Sequence, residues 1–390
     1  MPSPSVPCSG QCGRLIRQRP NGSGYCAHCR QSTGFVPAPP APTDAIVVPA
    51  PTPTPSSQLE SDRQLARLRT DIGDLRSKYS AALRSLELLE QERDAALPLR
   101  QVNPCVIEAK HGSGTSEATI LVNASDWHLE ERVDPATING MNEFTLEIAK
   151  QRVDTFFNAT VKLTRLLQQD VKIERMVMGL LGDFVSGDIH EEISEVCQLP
   201  PMEAIVFAQD RLAGGIEFLL AHTNLKFRFQ CHSGNHGRTT KTTRFGMENG
   251  HSIEYLMYRH LAAYFRHEDR VEFEIAKGPH SYVSIYGKNI RYQHGHMVKY
   301  NGGVGGIYIP VNKAIAEWNK GIDADIDMFG HFHQQLDGNA FVANGSLIGY
   351  NSFALSIKAP FDVPKQMLTL MDKRRGRTCV WPILVEETRR

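Results

Sequence analysis

Five short segments constrain what this 390-residue chain can fold into: Asp126-Trp127-His128, Gly182-Asp183, Gly234-Asn235-His236, His294-Gly295-His296 and Gly330-His331-Phe332-His333. Each follows an apolar, β-rich run, in order Thr119–Asn123, Met176–Leu181, Lys226–Cys231, Asn289–Tyr292 and Ile326–Phe329. A further run, Ala340–Ala343, comes after the last segment. Between the runs lie helical patterns near residues 141–168, 202–222, 250–265 and 311–320. Such alternation predicts an α/β domain with helix-covered sheets. In these sheets, functional groups collect at the carboxyl ends of strands.

The segments supply carboxylate, imidazole and amide groups in numbers suited to two adjacent divalent cations of mixed N/O coordination. Asp126 and His128 are two apart, and a period of two would aim both at one ion. His331 and His333 repeat that spacing. The glycines before Asp183, Asn235 and His331 permit tight turns off the sheet. Asn235 offers a neutral oxygen. Asp183 could bridge two ions at the ~3.5–4 Å that clamps the attacking and leaving oxygens of a phosphoryl displacement. Taken singly, each segment is weak: a lone histidine is usually structural, and Gly-Asp is a turn. The ordered set carries the signal.

That order resembles the calcineurin-like metallophosphoesterase family over roughly residues 115–355. The resemblance implies a four-layer sandwich of two packed mixed β-sheets flanked by helices. It implies that Asp126, His128, Asp183 and His333 hold a first metal. Asp183, Asn235, His294 and His331 would hold a second, and His236 would protonate the leaving oxygen. A water between the metals would lose its proton near neutral pH and attack phosphorus. Asn344-Gly345-Ser346 is similar to the family's closing turn. Gly-Asn-His-Gly-Arg resembles the nuclease-like branch found in phage, which implies Mn2+; Fe and Zn also suit the ligand set.

Two departures stand out. The family often has Asp or Glu after Gly-Asn-His, whereas Gly237 stands here, so an acid to orient His236 must come from elsewhere, Asp188 being one choice. The following stretch carries Arg238, Lys241 and Arg244 among threonines, either to grip flanking phosphates or as a solvated loop. His294-Gly295-His296 offers two imidazoles, of which His294 matches the family pattern and His296 is left to substrate or structure.

Upstream, composition divides the chain into residues 1–34, 35–57, 58–97 and 104–390. Cys8-x3-Cys12 and Cys26-x2-Cys29 match a zinc ribbon holding one structural Zn2+, with nucleic acid or a protein as its partner. Residues 35–57 are rich in Pro, Ala and Thr and read as a semi-rigid linker. Residues 58–97 carry a seven-residue repeat, with Leu65, Ile72, Tyr79, Leu86 and Arg93 at a and Leu68, Leu75, Ala82, Leu89 and Ala96 at d. A seam this narrow predicts a coiled coil stopped by Pro98 and joining two copies in parallel, with Asp71 at g attracting Arg76 at e.

Charge is balanced, Lys+Arg 43 against Asp+Glu 43, so no general basic field attracts nucleic acid and only a local patch could. No apolar run approaches the ~18 residues of a membrane span, and the first residues lack the pattern of a signal peptide. The expectation is a cytoplasmic protein without a membrane partner, its other cysteines (Cys105, Cys197, Cys231, Cys379) reduced. Its expected chemistry is two-metal hydrolysis of a phosphodiester in DNA or RNA. The rivals are a phosphomonoesterase for phosphoprotein or nucleotide, and an adaptor that uses the fold as a scaffold.

Overall fold

The runs Thr119–Asn123 and Met176–Leu181 are apolar at consecutive positions, not only at alternate ones, so these strands must be covered on both faces. A computed structural model of the chain shows how; it describes residues 5–7, 15–17, 55–100, 116–300 and 305–386. The chain divides into two units, residues 1–107 and 108–390.

In the larger unit, strands β3 (Glu117–Ala124), β4 (Lys172–Leu180), β5 (Lys226–Cys231) and β6 (Val271–Ile275) pair in parallel in that order. Strand β12 (Lys365–Asp372) lies antiparallel between β3 and β13 (Gly376–Leu384), completing a six-stranded mixed sheet. A second mixed sheet has the order β10 (Leu336–Asp337), β11 (Phe341–Ala343), β9 (Ile326–Phe329), β8 (Lys288–Tyr292), β7 (Ser281–Ile285). Successive residues explain the layering. Ile120 and Val122 join a core shared with the helices Leu146–Leu167, Pro201–His222 and Ile253–Tyr264. Leu121 points the other way, into a core with Val283, Ile290, Met328 and Val342 of the second sheet. Phe329 and Phe341 turn outward again, against Val311 and Ile315 of helix Tyr308–Trp318. The expected α/β layering of two mixed sheets flanked by helices is therefore present.

Several boundaries differ from expectation. The helix expected from residue 141 begins at Leu146, because Val133 and Phe144 form a β-bridge and Thr145 caps the helix by accepting from the Ile148 N–H. Strands β6, β7, β12 and β13 were not expected. The resembling span of residues 115–355 stops short of β12 and β13, although β12 covers one edge of β3.

In the smaller unit, Ser5–Pro7 and Leu15–Arg17 form a two-stranded antiparallel pair. Cys8, Cys12, Cys26 and Cys29 lie outside the described residues, as does most of the Pro-rich stretch. The long helix spans Pro55–Arg100, so Pro55–Ser57 belong to it rather than to a linker, and Pro98 does not stop it. A proline suits a first turn, and one in the last turn loses a single hydrogen bond. Leu65, Leu68, Ile72, Leu75, Tyr79, Leu86 and Leu89 are all exposed along it. Among the described residues, no helix is long and apolar enough to cross a membrane. Cys197, Cys231 and Cys379 are free thiols.

Candidate metal centre

All five segments follow the carboxyl ends of β3, β4, β5, β8 and β9. Their backbone is unusual. Asp126, His128, Asp183, His331 and His333 have φ of 56°, 45°, 55°, 69° and 53°. Left-handed non-glycine residues are costly and concentrate where function demands them. The pleat therefore does not aim these side chains, because they stand beyond the strand ends in left-handed turns. One consequence differs from the spacing argument: His331 and His333 serve different clusters rather than one ion.

Those clusters are compact. Ligand atoms of Asp126, His128 and His333 lie within 4.8 Å of one another, as do those of Asp183, His294 and His331. His128, Asp183 and His236 form a third such group that links the two. Asn235 joins the second cluster, with Oδ1 3.1 Å from His294 Nε2. Close backbone contact makes this possible. Gly182 has φ 87°, and a Cβ on Gly234 would collide with the Asp183 carboxylate.

The residues fit divalent cations. The Ser186 hydroxyl donates to Glu131 Oε2 (3.0 Å), so it accepts from the His128 Nδ1–H (2.9 Å). That tautomer leaves His128 Nε2 with a lone pair, and Nε2 is buried without a hydrogen-bond partner. His294 Nδ1–H donates to the Leu181 carbonyl (2.6 Å), and its Nε2 faces Asp183 Oδ2 at 2.9 Å. With Asn235 Oδ1, three potential metal ligand atoms converge there, a set that suits a divalent cation. Such outer partners fix the ligating nitrogen in metal sites generally.

Electrostatics agree. Burial, then the neighbouring imidazoles, hold His128 and His331 well below the usual histidine range, and burial brings His333 down to about 4. Neutral imidazoles are the ligating form. Burial alone would raise Asp183, but His294 and His236 hold it well below the usual carboxylate range. Burial opposes charge on His294, yet Asp183 and Asp126 lift it to about 10. In the absence of metal, a proton on His294 satisfies the same acceptors.

The remaining sequence candidates are dispersed. His236 Nδ1–H donates to the Ser186 carbonyl at 3.0 Å; this main-chain oxygen, not Asp188, orients the ring. The Arg238 guanidinium is spent on its own loop, donating to the carbonyls of Asn235, Thr240 and Lys241. Lys241 and Arg244 are exposed. His296 Nε2 lies 3.3 Å from Glu248 Oε1, too poorly aligned for a hydrogen bond. Sequence reading missed the supports. Gln366 on β12 accepts from Ser125 N, Trp127 Nε1 and Asn344 Nδ2, and donates to the carbonyls of Ser125, Gly345 and Lys365. Ser125 in turn donates to Asp126 Oδ2 (2.5 Å). Glu130 Oε1 accepts from the Ser186 and Gly187 N–H groups (2.7 and 2.9 Å). Glu254 accepts from two loop amides. A polar residue inside an apolar strand, as in Met367's neighbour Gln366, was the one available signal.

No family model matches the chain, and no curated protein does. Solved structures similar to it include an archaeal phosphodiesterase, 12% identical, over 67% of this chain and 99% of that one, with a TM-score of 0.31. Vps29 of Entamoeba histolytica complexed with Zn2+ is 14% identical over 68% and 99%, with a TM-score of 0.28. A hypothetical protein of Pyrococcus horikoshii is 11% identical over 69% and 89%, with a TM-score of 0.33. At such scores, the reading of the site rests on its own residues.

Proposed function

We propose that the chain is a metal-dependent phosphoester hydrolase whose substrate is a phosphodiester of nucleic acid. One observation carries this: two Asp/His clusters are linked by a third group of His128, Asp183 and His236, and His128 Nε2 is buried without a hydrogen-bond partner. Asp126, His128, Asp183 and His333 would hold one ion; Asp183, Asn235, His294 and His331 the other. When bound, two such ions lower the pKa of a water toward neutrality and neutralise charge at phosphorus, Mn2+ being the proposed metal. The chain's own residues do the rest. With Nδ1–H fixed on the Ser186 carbonyl, His236 can carry its transferable proton only on Nε2, where it can protonate the leaving oxygen. Exposed Lys241 and Arg244, on the loop that follows His236, support a polymer substrate, because cations there would attract a flanking phosphate.

The test is hydrolysis of bis-p-nitrophenyl phosphate and p-nitrophenyl phosphate with Mn2+, with Asp183→Asn alongside. Diester cleavage lost in the variant is expected. Monoester cleavage alone would move the assignment to a phosphatase, and no turnover with metal bound would favour the adaptor. We also infer that Pro55–Arg100 pairs with a second copy through its exposed seam, and that the four N-terminal cysteines hold a structural Zn2+. A monomer in sedimentation, or a chain purified without zinc, would count against each.

A further inference from the structure

Glu254 is a carboxylate with no exposure at all, on the first turn of helix Ile253–Tyr264. Burial raises its pKa, and a buried carboxyl group is costly in either charge state unless it is fully hydrogen-bonded. Both its oxygens are used. Oε1 accepts from the Phe184 N–H and Oε2 from the Gly234 N–H, each at 2.7 Å. These amides belong to the residue after Asp183 and the residue before Asn235. One side chain thus joins the two loops that carry Asp183 and Asn235.

Its place in space is also telling. A Cβ built on Gly237 would lie 2.8 Å from Glu254 Cγ and 3.1 Å from its Cδ. The carboxylate occupies the room into which a side chain at position 237 would extend, and position 237 is where the resembling family often carries an acid. The helix is registered on that residue, for the Ile253 N–H donates to the Gly237 carbonyl at 2.9 Å. One turn on, the Tyr258 hydroxyl donates to the His232 carbonyl at 2.9 Å. The loops themselves have no slack, since a Cβ on Gly182 would meet Gly234 N. A change in their spacing would move Asp183, whose Oδ1 accepts from the His236 N–H at 2.8 Å.

We propose that Glu254 is a positioning residue that fills, from a different element, the space beside Gly237, and that it sets the loop spacing on which metal affinity at Asp183 and Asn235 depends. The inference rests on the metal-centre reading. It predicts a reciprocal relation: a carboxylate is needed in this space, and either position can supply it.

The experiment is calorimetric titration of the full chain with Mn2+, with thermal melting followed by circular dichroism. Glu254→Gln keeps the shape but offers a donor where an acceptor is needed, so Mn2+ should bind on the order of 10–100-fold more weakly, as for other outer partners of metal ligands. Glu254→Ala should show the same loss or more. Adding Gly237→Asp to Glu254→Ala should recover affinity, whereas Gly237→Ala in the otherwise native chain should weaken it by displacing Glu254. Wild-type affinity in Glu254→Gln would overturn the proposal. So would a paired variant that binds Mn2+ no better than Glu254→Ala while regaining its melting temperature, because that separates stability from positioning. A native chain that takes up no Mn2+ would sink the metal-centre reading itself, and this inference with it.

Discussion

His128 and His294 both present Nε2 to the site, yet their other ring nitrogens are held differently. His128 Nδ1 rests on the Ser186 hydroxyl, itself steadied by Glu131, whereas His294 Nδ1 rests on the Leu181 carbonyl. The contrast extends to the carboxylates. Asp126 accepts from the His331 main chain and also from the Ser125 hydroxyl, behind which stand Asn344 and Gln366. Asp183 accepts from the His236 main chain. The cluster of Asp126, His128 and His333 is thus aimed in part by a relay of side chains, and that of Asp183, His294 and His331 largely by the backbone. Exposure does not separate them, each cluster having two buried members and one partly exposed imidazole, His333 in the first and His331 in the second. A backbone anchor cannot be deleted by substitution, but a side-chain relay can, so the first cluster should be damaged by changes at Ser125 or Gln366 that spare the second, which is exposed to substitution chiefly through Glu254.

The largest effect should come from the residue the halves share. Asp183→Asn removes charge from both clusters, and hydrolysis should fall by at least the ~10²–10³-fold that loss of one electrostatic stabiliser costs. Calorimetry should show the loss of both Mn2+ sites. If one site survived intact, Asp183 would not be shared and the comparison would need redrawing.

Gln366→Leu tests the relay. It keeps the bulk but strands the Ser125 and Trp127 N–H groups, each costing about 1–3 kcal/mol when left buried and unpaired. Affinity at the first cluster should drop on the order of 10–100-fold while the second changes little. Equal weakening of both sites in the variant would show that the halves are not independent.

Protons test what takes the place of metal. Burial pushes Glu130 and Glu248 up to about 7 and raises Asp126 and Glu254 also. Such acids keep their protons in the folded chain at pH values where the unfolded chain has lost them, so stability declines as pH rises from about 4.5 through the folded values. His294, raised to about 10, contributes stability that is present below its unfolded value of 6.5 and lost as pH rises through 10. The depressed His128, His331 and His333 act oppositely, but their gain is complete by about pH 6.5. Above that value, the remaining terms named here fall together. Metal-free protein should therefore melt several degrees lower at pH 8.5 than at pH 6.5. Added Mn2+ should flatten or reverse the trend, because cation binding strengthens as ligands lose protons.

How much of this was legible follows from the same division. The ligands could be read because each stands directly after an apolar run, where sequence order and chemistry coincide. Their aim could not: it depends on left-handed turns at Asp126, His128, Asp183, His331 and His333, which no residue preference announces. Supports from nearby backbone, such as the Leu181 carbonyl, leave no trace in side-chain identity. Gln366 and Glu254 are distant in sequence from the residues they hold, and only the β12–β3 pairing and the docking of helix Ile253–Tyr264 bring them in. Strand β6 was missed because its Glu272 and Glu274 interrupt the apolar run. The long helix was legible as a helix, but its ends were not, since prolines at 55 and 98 both lie inside it.

The smallest expected effect lies outside both clusters, on the loop that follows His236. Arg238 already spends its guanidinium on three carbonyls, so Arg238→Ala should loosen the loop and lower stability, with binding affected only as a consequence. Lys241 and Arg244 are exposed, and their loss should leave the fold, Mn2+ binding and turnover of bis-p-nitrophenyl phosphate unchanged. On an oligonucleotide, the pair Lys241→Ala and Arg244→Ala should raise KM several-fold at low salt. Each lost phosphate contact should also flatten the salt dependence by roughly one unit of log–log slope. An unchanged slope would reduce this loop to a solvated surface and remove its support for a polymeric substrate. It would leave the two clusters and their unequal anchoring untouched, because neither Lys241 nor Arg244 is a member of either.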